Sequence, residues 1–333
     1  MINFWKNKKV FITGIDGFVG SNLAKELISK KAKVYGLVKR RKKSLLYFEN
    51  INKKITIYKG DIKNKNLLNK ILKSNKIEIC FHLAAQVEVG KANNNPFSTF
   101  ETNIRGTYTL LDTINKNNKF IKSVIIASSD KVYGTYPKKY LPYKEDYKLK
   151  ANYPYEVSKA CCDIISKSFS GDLFRLPIII TRFTNIYGPG QLNFSALIPD
   201  IIQTILLKKK FIPRGDGSAI RDFIYVKDII SIYLLLSKKL YLSKKYSGEI
   251  FNAGTNKPIS VKQIIEKILI QNNKKKELKE IIKLMKSKSA PGEIPYQYMD
   301  CKKINKYFRW KPTYTFDRGI RETINWYKKF IVN

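Results

Sequence analysis

A tyrosine and a lysine four positions apart, Tyr155 and Lys159, have types and a spacing that suit proton transfer. On a helix this spacing puts both side chains on one face, one turn apart. A neighbouring ammonium lowers the pKa of a phenol, so that a tyrosine can remove a hydroxyl proton near neutral pH. The pair therefore predicts oxidation of an alcohol with Tyr155 as the base. Because the chain contains 21 tyrosines, such a spacing also arises by chance, and its surroundings must decide.

A short polar stretch, Ser128–Lys131, follows an apolar run that we predict as the fifth strand of a parallel sheet. Open parallel sheets place their active sites at the carboxyl ends of the strands. Ser129, Asp130 and Lys131 are therefore expected at the same edge of the sheet as the tyrosine and lysine.

Three glycines separate an apolar run from a helical pattern near the beginning of the sequence. Gly14 permits a tight turn, Gly17 lets the backbone approach a pyrophosphate, and Gly20 lets the helix pack closely on the strand. The amino end of that helix then attracts an anion. The first gap between glycines is one residue longer than in the usual dinucleotide fingerprint. The strand, turn and helix still predict dinucleotide binding by Gly14, Asp16, Gly17, Phe18, Val19 and Gly20.

Cations follow the second predicted strand, where NAD-binding chains carry an acid for the ribose hydroxyls. The run Lys39–Lys43 is wholly basic, and Lys39 and Arg40 would lie near a 2′-phosphate, which favours NADP over NAD. The alternative is one more basic loop in a lysine-rich chain. Asp61, after the third strand, is expected to hydrogen-bond the adenine amino group.

Apolar runs alternate with helical patterns through the first half, which predicts a parallel sheet with helices on both faces, an α/β Rossmann-type doubly wound fold. The predicted strands are Lys9–Thr13, Lys33–Val38, Ile55–Lys59, Ile77–Leu83, Ser123–Ser128 and Pro177–Arg182, and the predicted helices are Val19–Lys30, Asn64–Ser74, Pro96–Asn117 and Tyr155–Phe169. In the second half we predict helices at Ile224–Leu240, Val261–Leu269 with Ser260 as N-cap, and Phe316–Phe330, a strand at Glu249–Asn252, and a helix cap at Asp300.

Composition excludes several function classes. The chain has 333 residues, four cysteines without metal-ligand spacing and a single histidine, so we expect no metal site. No apolar run approaches the roughly 18 residues of a membrane span, and a cytoplasmic location is the default expectation. The net charge of +38 comes from lysines spread along the whole chain among asparagines and isoleucines, which indicates a compositional bias. Interleaved aromatics and a nucleic-acid motif are missing, so no nucleic-acid partner is expected.

Six motifs occur in an order that resembles extended short-chain dehydrogenases/reductases, and specifically the nucleotide-sugar epimerase and dehydratase family, from about residue 8 to 329. They are Thr13–Gly20, Phe81–Gln86, Asn103–Thr107, Ser128–Gly134, Tyr155–Lys159 and Arg182–Gly190. The resemblance implies a cofactor domain (1–185 plus about 219–255) and a smaller α/β C-terminal domain (about 186–218 plus 256–333) that binds a nucleoside diphosphate sugar. It also implies a homodimer formed through the helices predicted at Pro96–Asn117 and Tyr155–Phe169.

The resemblance implies a role for each motif. Ser129 would hydrogen-bond the sugar hydroxyl, Tyr155 would act as base, and Lys159 would bind the nicotinamide ribose. The further cofactor contacts implied are Ile62, Leu83, Ala84, Ala85, Gln86, Asn103 and Ser128. The substrate contacts expected are Gln86, Asn185, Gln191, Asn193, Ser195, Arg214 and Arg221. The two arginines suit a pyrophosphate, although either would also suit an ion pair with Asp216, Asp222 or Asp228.

The pair Asp130–Lys131 is similar to the CDP-glucose 4,6-dehydratase branch, whereas the basic run Lys39–Lys43 is similar to GDP-mannose dehydratases, which use NADP. Both branches imply oxidation at carbon 4, loss of water and reduction at carbon 6. Asp130 would then protonate the departing hydroxyl, and Lys131 would be either the carbon-5 base or an electrostatic aid. Two alternatives stay open: a 4-epimerase of the same family, and a catalytically idle member that binds RNA.

Overall fold

The computed structural model describes residues 3–39, 43–117, 119–286 and 294–332. The chain forms two compact units. The first unit comprises Met1–Gly134, Lys148–Arg182 and Ile230–Phe251, and the second unit comprises Thr135–Tyr147, Phe183–Ile229 and Asn252–Asn333. What each unit binds stays a prediction. Among the described residues, none of the helices is long and apolar enough to cross a membrane.

Twelve strands are present in the described residues. They are β1 Lys9–Thr13, β2 Lys33–Val38, β3 Thr56–Lys59, β4 Ile79–His82, β5 Ser123–Ala127, β6 Ile178–Phe183, β7 Asn185–Tyr187, β8 Ile220–Arg221, β9 Phe223–Tyr225, β10 Ile250–Ala253, β11 Ile259–Ser260 and β12 Tyr296–Gln297. Seven of them form one sheet in the order β10-β6-β5-β4-β1-β2-β3. The pairs from β6 through β3 are parallel, so the predicted α/β Rossmann-type fold is confirmed.

The helices alternate with these strands. They are α1 Phe18–Ser29, α2 Leu45–Phe48, α3 Lys65–Ser74, α4 Val89–Asn94, α5 Pro96–Phe100, α6 Gly106–Lys116, α7 Pro154–Ser170, α8 Leu197–Leu206, α9 Val226–Leu242, α10 Val261–Gln271, α11 Lys275–Lys286, α12 Lys302–Phe308 and α13 Phe316–Val332. A π-helical turn spans Glu101–Arg105, and 3₁₀ turns span Ile51–Lys54, Asp130–Tyr133, Lys138–Tyr140 and Lys244–Tyr246.

Burial explains the apolar strands in the middle of the sheet. Every residue of β4 and β6 is buried, as expected where helices cover both faces of a parallel sheet. One core cluster packs α3 and α6 against the sheet, with Leu68, Leu111 and Ile126 fully buried. The carboxyl edge of this rigid sheet carries the residues described below.

Two predicted helices need correction. The helix predicted at Pro96–Asn117 is interrupted by the π-helical turn, where the amide N–H of Gly106 bonds the Glu101 carbonyl five residues earlier. The helix predicted at Ile224–Leu240 begins only at Val226, because Ile224 and Tyr225 pair with β7. Other predictions are confirmed: the Ser260 hydroxyl caps α10 by accepting from the backbone N–H of Gln263 at 3.1 Å.

Candidate active site

The glycine turn between β1 and α1 leaves no room for a side chain at its first glycine. Gly14 has φ +67°, and a Cβ there would lie 2.8 Å from the backbone of Ala84. Only glycine combines this conformation with that approach. Gly17 then occupies the N-cap position of α1, whose first turn carries no acidic residue. The amino end of α1 is therefore free to attract an anion.

A cavity of about 280 Å³ opens beside this turn. Its wall is formed by Gly14, Asp16, Leu37, Lys39, Gly60, Asp61, Ile62, Ala84, Ala85, Gln86 and Thr102. Most of these were predicted as cofactor contacts. Leu37, Gly60 and Thr102 were missed, although Leu37 lies on β2 two residues before Lys39, and side chains two residues apart along an extended chain point the same way. The wall combines apolar side chains with two acidic groups, those of Asp16 and Asp61, and one basic group, that of Lys39.

Lys39 and Asp61 form an ion pair at the edge of this cavity. The Lys39 ammonium lies 2.9 Å from the Asp61 carboxylate, and the lysine side chain is 59% exposed. Burial alone would raise the pKa of Asp61, but Lys39 and the backbone N–H of Lys63 lower it overall. Arg40, predicted beside Lys39, lies outside the described residues.

A chain of neutral hydrogen bonds, here called the histidine cluster, joins Thr13, His82 and Thr107 beneath the glycine turn. The Thr13 hydroxyl accepts from the backbone N–H groups of Leu83 and Ala84, both at 3.1 Å. It must therefore donate its own proton to Nδ1 of His82 at 2.8 Å. The Nε2–H of His82 then donates to Thr107 at 2.9 Å.

Burial and the nearby Lys159 ammonium lower the pKa of His82 to about 3. The imidazole is therefore neutral, which agrees with the two acceptor and donor roles above. His82 is a packed strand residue that holds Leu83 and Ala84 in place through Thr13.

Asn103, a residue of the π-helical turn, holds the backbone of Gln86 by hydrogen bonds. Its amide oxygen accepts from the N–H of Gln86 at 2.7 Å, and its amide nitrogen donates to the Gln86 carbonyl at 3.0 Å and to the Ser158 hydroxyl at 2.9 Å. Asn103 is fully buried. It therefore links the cavity wall to α7, and direct contact with a cofactor stays a prediction.

Tyr155 and Lys159 lie on one face of α7, as predicted, and both are buried. The Lys159 ammonium donates to the backbone carbonyl of Ala127, at the end of β5, at 2.7 Å. Burial raises the pKa of Tyr155, and the Asp130 carboxylate raises it further, whereas a hydrogen bond with Ser129 lowers it. Lys159 is not among the groups that shift this pKa, contrary to the expectation from the sequence.

The turn after β5 carries the remaining catalytic candidates. Ser129 caps the 3₁₀ turn by accepting from the N–H of Lys131 at 3.2 Å, and it donates to the Asp130 carboxylate at 3.1 Å. Asp130 is 3% exposed, and Lys131 is half-buried. The turn ends at Gly134, whose φ of +62° suits glycine. Ser128 lies before the turn, where its N–H bonds the carbonyl of Thr181 on β6.

Three of the predicted substrate residues lie together in the second unit. The Asn193 side chain accepts from the N–H and hydroxyl of Ser195 at 3.1 and 2.6 Å. Arg214 donates to the Ser195 carbonyl at 2.6 Å and to Asp200 at 2.8 Å. The partner of Arg214 is thus Asp200, an acid that the sequence did not suggest. A ligand anion would have to compete with this carboxylate.

Of the other three predicted substrate residues in the second unit, Asn185 and Arg221 donate to backbone carbonyls, and Gln191 accepts a side-chain hydroxyl at its own carbonyl. Asn185 donates to the Asp222 carbonyl at 3.2 Å, and the Gln191 carbonyl accepts from Tyr327. Arg221 is buried and donates to the carbonyl of Ile220 at 2.9 Å. Asp216, Asp222 and Asp228 bond instead to Ser218, Thr255 and Thr313.

Several known proteins are similar to this chain in both sequence and fold. A CDP-glucose 4,6-dehydratase of Salmonella typhimurium is 28% identical over 341 residues, covering 99% of this chain and 93% of that protein. The solved structure of a dTDP-glucose 4,6-dehydratase from Bacillus anthracis in complex with NAD has a TM-score of 0.83 and 29% identity, covering 97% of each chain. A UDP-glucose 4-epimerase from Thermotoga maritima, solved with UDP-glucose, has a TM-score of 0.83 and 25% identity over 97% of this chain and 99% of that one.

The family model described as GDP-mannose 4,6 dehydratase matches residues 11–323. This range includes the glycine turn, the cavity wall, the Ser129–Lys131 turn and α7. The three relatives named above are two dehydratases and one epimerase of nucleotide sugars, and a UDP-N-acetyl-α-D-glucosaminuronate decarboxylase of Bacillus cytotoxicus matches 97% of this chain at 29% identity. The chain therefore belongs to the GDP-mannose 4,6-dehydratase family, whose members are nicotinamide-dependent enzymes that act on nucleotide sugars.

Proposed function

We propose that the chain is a nucleotide-sugar 4,6-dehydratase that converts an NDP-hexose into an NDP-4-keto-6-deoxyhexose with loss of water. The observation that carries the proposal is the buried Asp130 carboxyl beside Ser129 and Tyr155. A sugar hydroxyl bound by Ser129 and Tyr155 would lie near a group able to protonate a departing hydroxyl. Simple oxidation or epimerisation at carbon 4 does not need that acid.

The cavity suits a nicotinamide dinucleotide, because Gly14 and Asp16, which lead into α1, form part of its wall, and the amino end of a helix attracts a pyrophosphate. When bound, such a cofactor accepts hydride from carbon 4 and returns it to carbon 6, so that no net oxidant is consumed. Lys159 would orient its ribose. The positive charge of the oxidised cofactor, when bound, would favour the phenolate of Tyr155 against the effect of burial.

Side chains of this protein carry out the proton transfers of the proposed reaction. Tyr155 removes the proton of the carbon-4 hydroxyl while the C–H bond at carbon 4 is broken. The ketone then acidifies carbon 5, whose proton is removed as Asp130 protonates the carbon-6 hydroxyl, which leaves as water. Hydride addition at carbon 6 and return of a proton to carbon 5 complete the product. Lys131 is placed beside Asp130 and would serve carbon 5 as a neutral base, or as a cation that stabilises the enolate.

A panel of CDP-, GDP-, UDP- and dTDP-hexoses, read by mass spectrometry, tests this function. A dehydratase yields a product lighter by one water, whereas a 4-epimerase yields a product of unchanged mass. The epimerase alternative has its support in the Thermotoga maritima relative. Salt-dependent RNA retardation without any sugar turnover would favour the RNA-binding alternative.

Asp130→Asn tests the acid directly. The variant is expected to bind cofactor normally and to lose dehydration by about 100-fold or more. Asp172→Asn, which changes an exposed aspartate after α7, is the matched control and should retain full turnover. Tyr155→Phe should abolish the first oxidation as well. Full turnover by the Asp130 variant would remove Asp130 from the mechanism.

We also propose NADP in preference to NAD. Lys39 contributes to the cavity wall and would contact a 2′-phosphate, although it now holds Asp61, and the Bacillus anthracis relative was solved with NAD. Dissociation constants for the two cofactors decide the matter, and tighter binding of NAD would overturn the preference.

We assign the substrate pyrophosphate to Arg214 and Arg221 as part of the same proposal, and we keep Asn185, Gln191, Asn193, Ser195 and Gln86 as proposed substrate contacts. Arg214 is 65% exposed, and a guanidinium can bind two phosphate oxygens at once. Arg214→Met should raise the KM for the nucleotide sugar and leave cofactor binding unchanged. An unchanged KM would exclude this arginine.

We further propose a homodimer formed through α5, α6 and α7. These helices expose the apolar side chains of Phe97, Tyr108 and Ile164, which are 76%, 43% and 63% exposed. Ile164→Glu should convert the dimer to a monomer in light scattering. Leu173→Glu, at an apolar residue that is 83% exposed but lies outside these helices, should not.

A further inference from the structure

A buried arginine on β6 links two elements of the candidate active site. Arg182 donates from Nε to the Asp163 carboxylate at 2.7 Å and from Nη1 to the Tyr133 hydroxyl at 2.9 Å. Its guanidinium also lies 4.8 Å from the centre of the Tyr133 ring. We call Arg182, Asp163 and Tyr133 the arginine cluster. Each of the three is at most 3% exposed.

Asp163 connects the cluster to the helix of the tyrosine and lysine. It lies one turn beyond Lys159 on α7 and on the same face. Burial raises the pKa of Asp163, whereas the Arg182 guanidinium lowers it, and the Lys159 ammonium lowers it too. The carboxylate therefore faces both cations, and α7 is held to β6 by an ion pair.

Tyr133 connects the cluster to the other half of the site. It is the last residue of the 3₁₀ turn that begins at Asp130, and its side chain is fully buried. Backbone bonds close the turn, from the N–H of Gly134 to the Lys131 carbonyl at 3.1 Å, and the N–H of Lys150 bonds the Val132 carbonyl at 3.2 Å. The hydroxyl of Tyr133 adds a side-chain contact between the end of the turn and the same guanidinium that bonds Asp163 on α7.

Burying such a pair has an energetic cost. A buried ion pair is often no more stabilising than apolar side chains of the same volume. The arginine cluster is therefore weak as a device for stability alone. It does have a geometric effect, since one planar guanidinium determines how far the turn stands from the helix.

We propose that Arg182, through Tyr133 and Asp163, is a positioning residue that sets the distance between the Asp130–Lys131 turn and the Tyr155–Lys159 face of α7. The inference rests on the proposed dehydratase function, because elimination needs both elements at once. The first oxidation needs Tyr155 and Lys159 but not the turn beyond Ser129. Displacing the turn should therefore slow elimination more than oxidation.

Tyr133→Phe is the variant that separates the two steps. It removes only the phenol oxygen and keeps the ring beside the guanidinium, whereas Arg182→Met would leave a buried carboxylate without its ion partner and endanger folding. Single turnovers use whichever NDP-hexose of the panel the unaltered enzyme dehydrates. We expect reduction of the nicotinamide at the unaltered rate and product formation slowed by about 10-fold or more, with a persistent absorbance of reduced cofactor.

Tyr241→Phe is the matched control. The Tyr241 hydroxyl also accepts from an ion-paired cation, Lys8 at 2.9 Å, whose partner is Glu78. This group lies at the amino edge of the same sheet, at the beginning of β1 and β4. Tyr241→Phe should change neither step. An equal loss in both steps for Tyr133→Phe, or no loss, overturns the positioning role.

Crystal structures of the two variants give a readout that does not depend on the reaction. In Tyr133→Phe the turn is expected to move by about 1 Å relative to Tyr155, the scale of misplacement that costs an enzyme about 100-fold. A turn that keeps its place contradicts the inference even if no sugar of the panel is dehydrated. If the turn moves and the panel shows epimerisation instead, the proposed function fails while the geometric link stands.

Discussion

Two buried polar clusters lie in the first unit, and their polar groups find partners in different ways. The histidine cluster of Thr13, His82 and Thr107 is neutral, and each donor meets an acceptor. The arginine cluster of Arg182, Asp163 and Tyr133 carries a full ion pair. The first supports the wall of the cavity through Ala84, and the second contacts the 3₁₀ turn that begins at Asp130.

The difference predicts how each cluster fails. A neutral cluster is damaged when a proton is added, because the imidazole then has two donors and lacks an acceptor for Thr13. An ionic cluster is damaged when one partner is removed, because the other charge stays buried alone. The following experiments separate these responses, from the largest expected change to the smallest.

The largest loss of folding stability is expected when the cation of the arginine cluster is removed. Arg182→Met leaves the Asp163 carboxylate buried without its ion partner, and we expect the free energy of unfolding to fall by about 3 to 5 kcal/mol. Urea denaturation of the full chain measures it. The double variant Arg182→Met with Asp163→Leu should recover much of this loss, since no isolated charge is left. A double variant as unstable as the single one would contradict the account.

Acid should destabilise the histidine cluster. The pKa of His82 is about 3 in the folded chain and 6.5 as its reference value. The unfolded chain therefore binds the proton first, so stability is complete above about pH 6.5 and falls as the pH drops towards 3. Because of His82, the free energy of unfolding should fall by about 2 kcal/mol between about pH 8 and about pH 5. The test compares the pH dependence of unfolding for the unaltered chain and His82→Gln, which should show a smaller slope.

Because the chain contains one histidine, its imidazole nitrogens can be followed without assignment by nitrogen NMR. The folded chain should show the neutral Nε2–H form throughout the neutral range, with no titration there. A titration midpoint near 6.5 would refute the burial argument and remove the expected pH dependence.

The exposed ion pair at the cavity should respond least. Lys39→Met removes the partner of Asp61, but the lysine is 59% exposed and water replaces the lost contact. We expect a change of less than about 1 kcal/mol in unfolding free energy. If the NADP proposal holds, the same variant should lose its preference for NADP in binding measurements. A large loss of stability would mean that this pair resembles the arginine cluster after all.

Local patterns in the sequence were sufficient for much of the first unit. The bounds of β1 and β2 agree with prediction, because a short apolar run between turn residues has few other structures. The facing of Tyr155 and Lys159 follows from helix periodicity alone. The glycine turn follows from the types and order of its residues.

Features that depend on distant partners were not predictable in this way. Lys39 and Asp61 meet because β2 and β3 are neighbours, and Arg214 finds Asp200 across a loop. The partner of the Lys159 ammonium is the carbonyl of Ala127 on another element, and the pKa of Tyr155 is set mainly by burial. Each case needs the strand order or packing before the contact can be named.

The π-helical turn at Glu101–Arg105 behaves as a single extra residue inserted into an otherwise regular helix. An α-helix advances by about 100° per residue, so one insertion rotates everything before it by that angle relative to everything after it. Thr102 lines the cavity and Asn103 clamps Gln86 on the same turn, while Thr107 follows on α6. Deleting one residue there would restore regular hydrogen bonding and turn Phe97 to a different side of the helix. The π-helical turn therefore sets the direction of Asn103, which bonds Gln86, relative to that of the exposed Phe97. Any transfer of this segment to another protein must keep its length.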